Sequence, residues 1–264
     1  MLITLLTDFG TADYFVGAMK GVILSINRDA RIVDLTHEIP PQDIQAGAFT
    51  LLAASQTFPP ETIHVAVVDP GVGSERRPIL VSGGGQFFVG PDNGLFSYIY
   101  EREPDARVFH LTNQEYFRSS ISATFHGRDI FAPIAGALST GVRPEQLGAE
   151  IEDYIRLPFL NAKLSAGKTL GASVIHIDRF GNCITNLTPD DITQAMMADG
   201  VSLTINGWKI TSFRRFFAEG RDTPNELFAI WGSAGYLEIA AYQASAAELT
   251  GAKRGTLITV TSDK

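Results

Sequence analysis

Through the first 155 residues, compact apolar runs alternate with segments whose apolar positions recur every three or four residues. Leu2–Leu6 reads as a buried strand. Asp13–Ile26 then sets Phe15, Met19, Val22 and Ile26 on one helical face. Arg31–Leu35 is a short strand, Asp43–Gln56 a helix with Ile44, Phe49, Leu51 and Leu52 apolar, and Thr62–Val68 a strand. Ile79–Ser82 and Gln86–Val89 flank Gly83-Gly84-Gly85 and predict a hairpin. Gly94–Glu101 and Arg128–Leu138 are helical in pattern, with a strand at Val108–Leu111 between them. Such alternation predicts an α/β domain over 1–158, built on a mostly parallel sheet with helices on its faces.

The pattern changes after Tyr154. Residues 156–168 carry a proline, two lysines and small residues, which suits a linker. Strand patterns dominate beyond it: Gly171–Asp178, Val201–Ile205, Lys209–Thr211, Glu226–Trp231, Tyr236–Ala240 and Thr256–Thr261. Short helices are expected at Asp190–Met197 and Ala244–Leu249. The turns at Asn206-Gly207 and Gly232–Gly235 have hairpin chemistry. The expectation is a small antiparallel β-barrel domain over 168–264.

Composition narrows the function. The chain has 264 residues, 45% hydrophobic and 19% charged, enough to bury sizeable cores. A net charge of −8 argues against a nucleic-acid binder and mildly favours a cationic ligand. Cys183 is the only cysteine, so there is no disulfide framework and no cysteine-based zinc site. Leu2–Leu6 is too short for a signal peptide and runs straight into Asp8, and no apolar stretch of about 18 residues is present to span a membrane. A reducing cytoplasm is the expected location.

The candidate chemistry sits where strands end. Asp69 closes an apolar strand and opens Asp69-Pro-Gly-Val-Gly73, with Arg76 following. His126 lies in a polar turn, Thr124-Phe-His126-Gly-Arg-Asp129, just ahead of a helical pattern. In open α/β sheets ligands bind beyond the carboxyl ends of strands, and an acid, a base and a histidine arriving there suggest catalysis. The plainer readings are a tight turn with Gly71 and Gly73 at positive φ, and a helix-cap histidine. Asp8, at the end of the first strand, can take both hydroxyls of a ribose. Asp13 can meet an ammonium or sulfonium, or merely serve the helix start. In Asp178-Arg-Phe180-Gly-Asn182, Phe180 offers a stacking face and Asn182 an amide for a purine edge. The alternative is a Gly-Asn turn with Phe180 in the core. The other histidines (His37, His64, His110, His176) show no metal-ligand spacing, so no metal is expected.

Six ordered stretches carry a resemblance: Leu6-Thr-Asp8-Phe-Gly10, Val68–Arg76, Gly90-Pro-Asp-Asn-Gly94, Thr124–Pro133, Ile177–Asn182 and Gly235–Ala240. With these the chain resembles the S-adenosyl-L-methionine hydroxide adenosyltransferases, or SAM hydrolases (adenosine-forming), relatives of the fluorinase and chlorinase. The resemblance runs nearly end to end. It implies an N-terminal α/β domain, a C-terminal β-barrel and a homotrimer with each site between subunits. It places the catalytic set on Asp69, Arg76 and His126, and substrate contacts on Asp8, Asp13, Asp178, Phe180, Asn182, Ser233 and Glu238. S-adenosyl-L-methionine is then the substrate, and no cofactor is implied. The chain departs from the family at Ala234, where the fluorinase has arginine, and at Ala241-Tyr242, where a Val-Asn or Arg-Asn pair is usual.

The implied reaction delivers water or hydroxide in line to C5′ of the ribose. The sulfonium is already a good leaving group, so positioning carries the catalysis, about 7 kcal/mol or more in good cases. His126 is expected as general base or as hydrogen-bond partner of hydroxide, Asp69 as orienter, and Arg76 as electrostatic stabiliser. Two other functions compete: a halogenase on the same fold, disfavoured because an anionic Asp69 repels a halide, and a non-catalytic adenosine or S-adenosylmethionine binding module.

Overall fold

The computed structural model describes residues 1–158, 163–165, 169–193, 196–197, 200–219 and 223–262. The chain divides into two compact units, Met1–Leu157 and Pro158–Lys264.

The first unit contains strands β1 (Leu2–Thr7), β2 (Arg31–Thr36), β3 (Ile63–Val67), β4 (Pro78–Gly83), β5 (Gln86–Pro91), β6 (Arg107–Leu111) and β7 (Gly148–Ile151). Its helices are α1 (Phe15–Ile26), α2 (Ile44–Ser55), α3 (Ser97–Arg102), α4 (Ala132–Ser139) and α5 (Pro144–Leu147). The sheet order is β2-β1-β3-β5-β4-β6-β7. Pairing is parallel from β2 through β5 and antiparallel from β5 to β7. The sheet is therefore mixed rather than simply parallel: β4 and β7 oppose the other five strands. The reversal comes from the expected hairpin, where Gly84 and Gly85 hold φ of +58° and +72° and bring β5 back beside β4.

Side-chain alternation builds a core on each face. Ile3, Leu5, Ile63, Val65 and Val67 face α1 and α4, while Leu6, Ala66 and Val68 face α2 and α3. β3 is buried along its whole length. Asp43 caps α2, its Oδ1 accepting from the Ala46 N–H at 3.0 Å. The helix expected at Arg128–Leu138 is in two parts. Gly127–Phe131 forms a π-helical turn that ends where the Ala132 N–H reaches the Gly127 carbonyl, and α4 follows. Pro133 has no N–H to offer the Asp129 carbonyl, which accepts instead from the Arg118 N–H at 3.0 Å.

The second unit contains β8 (Lys163–Ser165), β9 (Thr169–Ile177), β10 (Cys183–Thr185), β11 (Val201–Ile205), β12 (Trp208–Ile210), β13 (Phe213–Arg214), β14 (Leu227–Trp231), β15 (Leu237–Ala241), β16 (Leu257–Ser262) and helix α6 (Ala246–Thr250). The order is β12-β11-β16-β9-β10-β15-β14-β13, with β8 added on β9. Among the described residues of this unit only β13–β14 pair in parallel. The sheet curls until β12 meets β14, forming a half-barrel around Val174, Cys183, Leu203, Ile205, Leu237 and Ile239. Strand β8 lies inside the stretch expected to be a linker. Of the helix expected at Asp190–Met197, Asp190 and Asp191 lie in a turn that the Asp191 carboxylate closes on Thr188, Met196 and Met197 are helical, and part of the rest falls outside the described residues. Ser245 caps α6 by accepting from the Glu248 N–H. Among the described residues no helix is long and apolar enough to cross a membrane.

Candidate active site

The chain leaves β1 toward β2 on one side, then returns to place β3 on the other. Connections thus diverge between β1 and β3, the position at which open α/β sheets form a ligand crevice. Thr7 pairs with Val67 across this boundary. Asp8 and Asp69 therefore emerge from neighbouring strand ends.

Asp69 meets Arg76 at once. Nε of Arg76 donates to Oδ1 and Oδ2 of Asp69, each at 3.0 Å, and Nη2 makes a further short bond to Oδ2. Both side chains are buried, 4% and 8% exposed. The same Nη2 lies 2.8 Å from Nδ1 of His126. Arg76 thus joins acid and histidine, and its guanidinium stacks over Phe131 at 5.4 Å. A guanidinium only donates, so Nδ1 of His126 accepts and its proton sits on Nε2. Burial, then the Arg76 charge, lower the His126 pKa from its ordinary 6.5, opposed by Asp69 and Asp129. The ring is neutral at pH 7.

Two loops build this cluster. Residues 69–76 close on themselves through the Val72 N–H to the Asp69 carbonyl and the Ser74 hydroxyl to the Gly71 carbonyl. Gly73 has φ +79°, and a Cβ there would overlap the Ala123 carbonyl. Gly71 has neither feature, so only Gly73 needs to be glycine for its backbone. The loop bearing His126 is held by Asp129, fully buried, which accepts from Ser122 N–H and is gripped by Arg128. Aromatic rings line its base: Phe125 packs edge-on to Phe15 and Phe9, with centroids 5.0 and 6.0 Å away.

The remaining predicted residues fall into two groups. Asp8 begins the turn next to the cluster, where Oδ2 accepts from the Gln42 N–H at 2.7 Å. His37 steadies that turn, its Nδ1 2.9 Å from the Thr7 hydroxyl and its carbonyl accepting from Gly10 N–H. Asp13 stands exposed before α1 and does not cap it. In the second unit, Asp178 Oδ1 accepts from the Phe180 and Asn182 N–H groups, and Oδ2 from the Asn182 amide, all at 2.9 Å. Asn182 is buried, so one amide hydrogen serves this turn rather than a ligand, whereas Phe180 is 78% exposed and outside the core. Burial, reinforced by Asp178, raises the Glu238 pKa to about 6. The Glu238 carboxyl fills the space a side chain at Gly232 would need, beside Ser233 in the turn linking β14 and β15.

Sequence reading missed His37, Asp129 and the Phe9–Phe15–Phe125 group. His37 follows β2 with nothing local to mark it, and Asp129 and Phe125 stand in the sequence only as neighbours of His126. Among the described residues no set of three or more His, Cys, Asp or Glu side chains could hold a metal ion.

Residues 3–148 match the SAM hydroxide adenosyltransferase N-terminal domain, and residues 172–259 the C-terminal domain of that family. The chain belongs to the SAM hydroxide adenosyltransferase family. It is 38% identical to a protein of Methanocaldococcus jannaschii named (R)-S-adenosyl-L-methionine hydrolase, over 94% of this chain and 91% of the relative. A protein of the same name from Thermus thermophilus is 36% identical, covering 95% of each. A fluorinase from Actinopolyspora mzabensis stands at 24% identity, covering 98% of this chain and 97% of the enzyme. A crystal structure of an uncharacterized conserved protein from Thermotoga maritima superposes with a TM-score of 0.89 at 34% identity, over 99% of this chain and all of that one. The α/β and half-barrel architecture is thus shared with that solved structure.

Proposed function

We propose that this hydroxide adenosyltransferase hydrolyses S-adenosyl-L-methionine to adenosine and L-methionine. The observation that carries the proposal is Arg76 bonded at once to the Asp69 carboxylate and to His126 Nδ1, in a family whose named relatives are S-adenosylmethionine hydrolases.

An oxygen of water or hydroxide attacks ribose C5′. The C5′–S bond breaks, its electron pair returns to sulfur, and methionine leaves as a neutral thioether. Water supplies oxygen and hydrogen to adenosine, and one proton goes to solvent. With Nδ1 committed to Arg76, His126 offers Nε2–H as a donor to the nucleophile, which favours its role as hydroxide partner over that of base. Arg76 contributes positive charge, and Asp69 keeps the guanidinium aligned. Opposite charges neutralise as hydroxide meets sulfonium, so the buried setting of the pair assists. No cofactor or metal enters this reaction. Asp8 takes ribose hydroxyls, with Asp13, Asp178, Phe180, Asn182, Ser233 and Glu238 completing substrate contacts. The protein works as a cytoplasmic homotrimer whose sites lie between one subunit's N-terminal unit and a neighbour's C-terminal unit.

The test incubates the protein with each sulfonium epimer of S-adenosylmethionine, with and without chloride, and chromatographs the products. Adenosine and methionine from the (R) epimer, unaffected by chloride, are expected. A 5′-chloro-5′-deoxyadenosine product would establish the halogenase reading, and unchanged substrate the binding-module reading.

A further inference from the structure

The Gly90-Pro-Asp-Asn-Gly94 stretch has no part in the chemistry above, yet it reaches both ends of the loop that carries it. At one end, Asn93 Nδ2 donates to the carbonyl of Val68, the residue before Asp69, at 2.9 Å. At the other, Asp92 holds Arg77, the residue after Arg76. Its N–H donates to the Arg77 carbonyl at 2.9 Å, and its Oδ2 accepts from Arg77 Nε and Nη2 at 3.0 and 2.7 Å. Asp92 is only 2% exposed, and its Oδ1 accepts from Ile155 N–H at 2.8 Å. Asn93 Oδ1 accepts from Leu95 N–H, which fixes the amide and leaves Nδ2 for Val68. Gly90 permits the approach, since a Cβ there would overlap the Ala66 carbonyl on β3.

We infer that Asp92 and Asn93 are positioning residues: consecutive side chains in the turn that follows β5 pin the two ends of the 69–76 loop and so set the register of the Asp69–Arg76 pair. The inference rests on the reading of that pair as the nucleophile site. The loop's internal bonds fix its shape but not its place on the sheet. The Val68 carbonyl lies one residue past β3, beyond the last ladder pairs with β5 at Val65–Val89 and with β1 at Thr7–Val67, so the ladders bring the chain to Val67 but do not hold Val68 and Asp69. The Asn93 amide supplies the missing bond. A displacement of about 1 Å at a reacting group can cost about a hundredfold in rate.

Asn93→Asp tests this with nearly the same shape, exchanging the Nδ2 donor for an acceptor facing the Val68 carbonyl. Asp92→Asn weakens the other anchor. Asp153→Asn, which removes the charge of the exposed partner of Arg77 Nη1, is the control. Each is assayed for S-adenosylmethionine turnover well below its own Tm, and the Arg76 Nε–H resonance is followed by NMR in parallel. The expected result for Asn93→Asp is a kcat loss of about tenfold or more, a KM within about threefold, and a shifted or exchange-broadened Arg76 Nε–H signal. Asp153→Asn should retain wild-type kcat and signal. An unmoved Arg76 signal in Asn93→Asp, or in Asp92→Asn should the first variant not fold, overturns the inference. If the wild type releases no adenosine, the functional reading fails, while the Arg76 resonance still decides the clamp.

Discussion

Arg76 Nη2 lies 2.8 Å from His126 Nδ1, and that contact decides which ring nitrogen bears the proton. Protonating Nδ1 would set two donors against each other. Nitrogen-15 NMR should therefore find the Nε2–H tautomer at pH 7. Because the pKa is lowered from 6.5, the ring should charge only below that value. Turnover is expected to hold above pH 6.5 and to decline on the acid side as the Arg76 contact is lost. An imidazolium or an Nδ1–H tautomer at pH 7 would contradict this geometry.

Gly73 and Gly71 should respond differently to alanine. At Gly73 a methyl meets the Ala123 carbonyl at φ +79°, so Gly73→Ala should lose roughly 1–3 kcal/mol and most of its activity. At Gly71 the nearest atoms are Ser74 Oγ at 3.4 Å and Arg76 Cγ at 3.5 Å, which is ordinary contact. Gly71→Ala should keep near wild-type stability. Thermal melts of the two variants provide the comparison.

Removing one member of the buried ion pair leaves the other uncompensated. Asp69→Ala should cost about 3–5 kcal/mol and abolish turnover. Asp69→Asn keeps an oxygen for the guanidinium, so it should recover much of the stability but little of the rate. Urea melts with single-turnover assays separate these two effects, and equal stability of the two variants would show the carboxylate shape to be irrelevant.

His64 should make the first unit acid-sensitive. It is fully buried, bonded to the Thr4 hydroxyl at 2.7 Å and stacked on Phe88. Burial, then Arg102, lower its pKa to about 4. The folded state therefore binds fewer protons than the unfolded chain between pH 4 and 6.5. Stability should fall as pH drops through that window and change little from this group above it. The double variant Thr4→Val/His64→Phe removes the titrating imidazole with its hydroxyl partner and should flatten that part of the stability–pH curve.

Assembly is open to a direct measurement. The full chain should scatter as three times 28.6 kDa, and dilution to monomer should abolish activity before the chain unfolds. A fully active monomer would remove the shared-site proposal and leave the chemistry intact.

Local rules were enough to reveal the strand–helix alternation, the Gly83–Gly85 hairpin and the strand end at Asp69, because side-chain period and turn chemistry are written into neighbouring residues. They did not reveal β7 or β10, which are only four and three residues long and take their pairing from distant strands. The β4–β5 hairpin that mixes the sheet is marked locally by Gly83–Gly85, but the placing of β4 between β5 and β6 is a long-range choice without a local mark. Likewise, Asp69, Arg76 and His126 could be named from sequence. The direction of the Arg76–His126 hydrogen bond, and with it the His126 tautomer, exists only once two loops fifty residues apart converge. Asn182 shows a similar division: its sequence suits base recognition, while the fold decides that one of its amide hydrogens goes to Asp178. Residue type sets what a side chain can donate or accept; tertiary packing decides which partner it meets.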